Sequence, residues 1–186
     1  MKRRVLFVQG GGEGAHDVDA RLVASLAKEL GPDYEIHYPV MPHEAAPDHA
    51  AWSRVLIEQL ARLGDDVILV AHSVGATIVV WSLAENLPKQ KIAAIFLIAA
   101  PFVGEGGWQI EDFIPSKHVT ANVPAVPIFL YHGREDEMVP FAHVDLYAAA
   151  LPQAFIRRLD GRNHQLNDDL SEVARDIVRF NASRAP

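Results

Sequence analysis

Leu69-Val70-Ala71-His72-Ser73-Val74-Gly75-Ala76 is an apolar run that stops at a serine, with Ala71 two residues before it and Gly75 two residues after. A small-x-Ser-x-Gly pattern at a strand-to-helix junction demands a turn so tight that only small side chains fit on either side of the serine. Such a turn lifts the hydroxyl beyond the carboxyl edge of a sheet. It also sets the backbone N–H groups that follow at a helix N-terminus facing the same space. Ser73 is therefore a candidate nucleophile with an anion site beside it. A loop serine followed by a helix-start glycine would satisfy the same five residues, so the rest of the chain has to decide.

Outward from the serine, Val67 to Ala71 reads as a strand, and Ala76 to Glu85, apolar on nearly every side, as a helix buried against a sheet. Val5 to Val8, Ala93 to Ala99 and Ile128 to Tyr131 are further continuous apolar runs, as expected of strands covered on both faces. Tyr34 to Tyr38 alternates polar and apolar residues and stops at Pro39, the pattern of a half-exposed edge strand; Ala154-Phe155-Ile156 turns polar at Arg157-Arg158. Helices fall between. Asp17 is placed to cap one that carries Val18, Leu22, Leu26 and Leu30 and ends at Gly31-Pro32. A second carries Trp52, Val55, Leu56, Leu60 and Leu63 and ends at Gly64; a third runs from Phe141 to Leu151; the last has Leu170, Val173, Ala174, Ile177 and Val178 on one face. Alternation of strands and helices from end to end predicts an α/β fold, a three-layer α/β/α sandwich with a mainly parallel sheet of about six strands.

With 186 residues, 49% hydrophobic and 22% charged, the chain has the size of one domain, spanning 1–186, with a loop or short lid over 102–126 where no clear period holds. A formal charge of -7 argues against nucleic acid or an anionic membrane as partner and leaves small molecules open. There is no cysteine, which excludes disulfides, thiolate metal sites and a cysteine nucleophile. The basic start Met1-Lys2-Arg3-Arg4 is followed by only four apolar residues, too few for a signal-peptide core or a membrane span, so a cytoplasmic location is expected. The oligomeric state is not readable.

In a parallel sheet, functional groups collect on the loops after the carboxyl ends of the strands. After Ile128 to Tyr131 comes Gly133-Arg134-Glu135-Asp136-Glu137-Met138-Val139-Pro140, and after the last strand Gly161-Arg162-Asn163-His164. An acid and a histidine thus share the edge that carries Ser73. Serine needs a base within reach, a role suited to a histidine, whose unperturbed pKa is about 6.5, and a carboxylate must fix the imidazole tautomer. The Gly-x-x-Asp-x-x-Val-Pro spacing favours Asp136 over Glu135, Glu137 and Asp160.

The sequence resembles the α/β-hydrolase family over essentially its whole length. The resemblance is carried by Gln9-Gly10-Gly11-Gly12, Ala71-His72-Ser73-Val74-Gly75, the Gly133 to Pro140 segment and Asn163-His164. It implies Ser73 as nucleophile, Asp136 as acid and His164 as base, with the backbone N–H groups of Gly11 and Val74 as the oxyanion hole. The small size and lack of an inserted cap are similar to the retinoblastoma-binding-protein-type serine hydrolases. The chain departs from the family where Gln9-Gly10 stands for His-Gly and Ala71 for Gly; neither change removes a catalytic group. The expected reaction is cleavage of an ester or related acyl bond of a small substrate, without cofactor or metal. Phe102, Trp108 and Phe113, with Ile110 and Ile114, are expected to wall the substrate pocket.

Three other readings compete with this one. Gly10, Gly12 and Ala15 satisfy the dinucleotide fingerprint G-x-G-x-x-A, with Glu35 about 20 residues further on, but Glu35 falls at the wrong end of its strand for a ribose-binding acid. His43-Glu44 and Asp48-His49 are metal-ligand types without metal-ligand spacing and are expected to be a solvated loop. A non-catalytic binding or scaffold protein on the same fold would use the surface around Phe102 to Ile114. Among the other histidines, His72 is expected to pack on the far side of its strand end, and His132 and His16 to be structural.

Overall fold

The computed structural model describes residues 2–109 and 122–184. Within them six strands, β1 (Arg3–Val8), β2 (Tyr34–His37), β3 (Val67–His72), β4 (Ile92–Ile98), β5 (Ile128–Gly133) and β6 (Phe155–Leu159), form one sheet in the order β2-β1-β3-β4-β5-β6. Every strand pairing is parallel. Helices α1 (Ala15–Leu30), α2 (His49–Leu63), α3 (Ser73–Glu85), α4 (His143–Ala150) and α5 (Ser171–Ser183) complete the three layers.

The period of two in the strands sorts the core into two halves. Leu6, Val8, Leu69, Ala71, Ile95, Leu97, Ile128 and Leu130 face one way and pack with Trp52, Leu56 and Leu60 of α2, the apolar residues of α3, and Tyr147 of α4. Their neighbours Val5, Phe7, Ile68, Val70, Phe96, Phe129 and Tyr131 face the other way, onto Leu22, Leu26 and Leu30 of α1 and Val173, Ala174 and Ile177 of α5. The side each helix takes follows from handedness. The chain moves from β1 outward to β2 through α1, then reverses to reach β3, so right-handed crossovers place α1 on one face and α2 and α3 on the other. That reversal opens a crevice at the carboxyl ends of β1 and β3, where the loop starting at Gln9 and the serine at residue 73 meet.

Local expectations are corrected at two helices. Asp17 does not cap α1: the position before the helix is Gly14, at φ 73°, and Asp17 lies in the first turn. Val18 and Val178 are exposed, because a stripe of every fourth residue drifts around a helix of 3.6 residues per turn. The buried stripes are instead Asp19, Leu22, Leu26 and Leu30 on α1, and Val173, Ala174, Ile177 and Asn181 on α5.

Candidate active site

The junction between β3 and α3 is a single residue. Ser73 has φ 51°, the left-handed region that a non-glycine residue rarely enters, and helix α3 begins on it. Gly75 is required by something other than Ala71. A Cβ built on it would stand 2.0 Å from the carbonyl oxygen of Gln9, so the end of β1 passes directly over the first turn of α3. Gly10 is hemmed in from the same side, its missing Cβ facing His72 Nδ1 and Ser73 Cβ, each at 3.2 Å.

The three loops bring the serine, the histidine and the aspartate together. His164 Nε2 lies 3.1 Å from Ser73 Oγ, and its Nδ1 lies 3.0 Å and 2.9 Å from the two carboxylate oxygens of Asp136. The Asp136 side chain is fully shielded from solvent, and that of His164 is 9% exposed. Asp136 Oδ1 also accepts the N–H groups of Met138 and Val139, while His132 Nε2 lies 3.2 Å from Oδ2. Burial alone would raise the Asp136 pKa, but hydrogen bonds from His132, His164 and Val139 outweigh it and hold the carboxyl well below the usual range. An ionised carboxylate only accepts, so His164 Nδ1 carries the proton and Nε2 presents its lone pair to the serine hydroxyl.

Beside the serine, Val74 is the second residue of α3, a position whose N–H has no acceptor within the helix. Gly11 lies against it: a Cβ there would be 3.4 Å from Val74 Cβ and 2.5 Å from Pro47 Cγ. The N–H of Gly10 is already engaged by Asp19 Oδ2 at 2.7 Å.

Phe102 and Trp108 sit in the segment that follows β4 and lean on α4. The N–H of Phe102 donates to His143 Nδ1 at 2.8 Å, the Phe102 ring meets Tyr147 edge-on, and Trp108 meets His143. Ile110, Phe113 and Ile114, and with them residues 110–121 of the expected lid, lie outside the described residues.

Two further expectations fail here. His72 is not a remote packing residue: its ring centroid is 4.8 Å from that of His164, and its two nitrogens bond Asp19 and the His164 carbonyl. Asp19 was legible in principle, since a carboxylate on the apolar stripe of α1, three residues before Leu22, has to meet a polar partner in the core. Nor is Glu44 a solvated loop residue. Its carboxylate accepts the N–H groups of Gly14 at 2.9 Å and His16 at 2.8 Å and the amide of Gln9 at 2.7 Å. It therefore occupies the N-terminus of α1, the place a pyrophosphate takes in a dinucleotide fold. Glu35 is the second residue of β2, far from that end of its strand, so the dinucleotide reading has neither of its two sites. His49 Nε2 lies 3.8 Å from Glu85 Oε2, and no group of three metal-ligating side chains occurs among the described residues. Among them, too, no helix is long and apolar enough to cross a membrane.

Sheet order, crossover pattern and a serine, histidine and aspartate on three loops of one edge define an α/β-hydrolase. The serine hydrolase family profile matches residues 25–169, and the chain belongs to that family. No curated protein sequence matches it. Among solved structures, the esterase RhEst1 from Rhodococcus sp. ECU1013 is similar at TM-score 0.75 and 14% identity, with 98% of this chain and 91% of that one covered. Est1E from Butyrivibrio proteoclasticus is similar at TM-score 0.70 and 14% identity, covering 98% and 88%. A bromoperoxidase from Bacillus anthracis is similar at TM-score 0.70 and 14% identity, covering 98% and 92%. At these identities the likeness is one of fold.

Proposed function

We propose that the protein is a carboxylesterase-like enzyme that cleaves an ester or related acyl bond of a small substrate through a catalytic triad, Ser73, His164 and Asp136, on a single domain. The observation that carries this reading is His164 bridging the Ser73 hydroxyl and the Asp136 carboxylate. Ser73, held at a nucleophile elbow, attacks the carbonyl carbon as its proton passes to His164 Nε2; Asp136 stabilises the imidazolium that forms. The negative oxygen is received by the N–H groups of Val74 and Gly11, each worth about 3 kcal/mol to the transition state. His164 then protonates the leaving group, and water activated by the same imidazole hydrolyses the acyl-enzyme and restores the serine.

Phe102 and Trp108, on the segment that follows β4, next to the strand that leads into Ser73, are read as walls of the substrate pocket. The lack of cysteine suits a cytoplasmic location. A fluorophosphonate probe tests the reading: covalent labelling of the native protein that disappears in Ser73→Ala is the expected result. A folded protein that takes no label overturns it in favour of a binding role; where labelling is found, rates across acyl chain lengths define the substrate.

A further inference from the structure

His72 is buried at the meeting point of three loops, and both of its ring partners are acceptors. Nδ1 is 2.9 Å from Asp19 Oδ2, and Nε2 is 3.2 Å from the carbonyl oxygen of His164. A carbonyl oxygen cannot donate. Asp19 accepts as well: the N–H of Gly10 on Oδ2 and, at 3.2 Å, the amide of Gln165 on Oδ1 favour its ionised form. The arrangement is satisfied only when both ring nitrogens of His72 carry protons.

We propose that His72 is a stable imidazolium which, paired with Asp19, forms a strut that positions the nucleophile, the oxyanion loop and the base relative to one another. This rests on the reading of Ser73 and His164 as nucleophile and base. The two carboxylate oxygens of Asp19 gather donors from the loop after β1, the end of β3 and the loop after β6. His72, next in the chain to Ser73, grips the main chain of His164, while the N–H of that residue reaches Glu137 Oε2. The base is thus held at its backbone as well as through its ring. Neither Asp19 nor His72 is assigned a contact with substrate; both are positioning residues.

The groups that face His72 are Asp19 from α1, His164 and Gln165 from the loop after β6, and, at longer range, Asp136 from the loop after β5. Burial alone would strip the ring of its charge, but the Asp19 carboxylate outweighs it, and the pKa of His72 is raised while that of Asp19 is lowered. Because the folded pKa of His72 is raised, the charge on the strut is complete below the ordinary histidine value and is lost as the pH climbs through the raised one; at the acid end the strut is lost as the pH falls through the lowered pKa of Asp19. Deprotonation of either nitrogen turns a lone pair toward an acceptor and releases the loop it held.

The test uses the full chain labelled with ¹⁵N-histidine and read by long-range ¹H–¹⁵N correlation. Near neutral pH, both nitrogens of His72 are expected at imidazolium shifts, and in Asp19→Asn one of them moves to a neutral-ring shift. A neutral tautomer of His72 in the native protein overturns the proposal, and this readout needs neither activity nor a folded variant. In the kinetic arm Asp19→Asn, nearly isosteric, is expected to lower kcat for a p-nitrophenyl ester by about tenfold or more, with KM and the circular dichroism spectrum unchanged. Native kcat in Asp19→Asn overturns the positioning role. If the hydrolase reading is wrong, the native protein takes no fluorophosphonate label while the imidazolium shifts persist, so the two failures are distinct.

Discussion

Replacing Gly133 by alanine tests whether the acid and base loops must be in backbone contact. Gly133 is the last residue of β5, three before Asp136, and a Cβ added there would lie 2.0 Å from the carbonyl oxygen of Arg162, 2.6 Å from its carbonyl carbon and 2.9 Å from the carbonyl oxygen of Asn163. A carbon-to-oxygen contact needs about 3.3 Å, so the two segments have to part by roughly 1.3 Å. All three obstructing atoms are main chain, and no side-chain rotation relieves them. The same carbonyl of Arg162 accepts the N–H of Glu135 at 3.1 Å, and Arg134 N–H bonds Leu159, so the separation pulls apart the seam that places His164 over Asp136. Overpacking of this kind costs about 1–3 kcal/mol of stability, and a displacement near 1 Å in the reacting groups lowers the rate by about 10²-fold. Steady-state hydrolysis of a small chromogenic ester, with a thermal melt on the same sample, measures both. A folded Gly133→Ala protein with kcat within about threefold of the native value refutes the argument.

Two further outcomes are expected. Adding NAD or NADP leaves the melting temperature unchanged, since Glu44 already fills the N-terminus of α1; an upward shift that grows with nucleotide concentration refutes that. Asp169 accepts the N–H of Ser171 at 2.9 Å and Arg162 Nη2 at 2.7 Å, and the Ser171 bond followed by the Arg162 bond brings its pKa down to about 2. The stability it contributes is complete above the ordinary aspartate pKa of about 4 and is lost as the pH falls through about 2, so Asp169→Asn is less stable than native at pH 7 and the difference closes in acid urea melts.

The sequence by itself determined the layers and the order of the candidate site residues. Continuous apolar strands, their alternation with helices and the order of Ser73, Asp136 and His164 are all local or ordinal features. They hold independently of tertiary detail because a parallel sheet brings the carboxyl ends of its strands to one edge whatever the details of packing. What only the tertiary structure decided is the set of contacts between segments distant in the chain. Gly75 and Gly133 are glycines because β1 and the 161–164 loop pass over them, and no neighbour in sequence announces that approach. Glu44 reads in sequence as a solvated residue in a proline-rich loop; its carboxylate is tied down because three donors, at the head of α1 and just after β1, share it as acceptor. His72 and Asp19 came closest to legibility, one beside the serine and the other on an apolar stripe. Their pairing across 53 positions, and through it the charge of His72, depends on the path of α1 over the sheet, which is a property of the packed molecule.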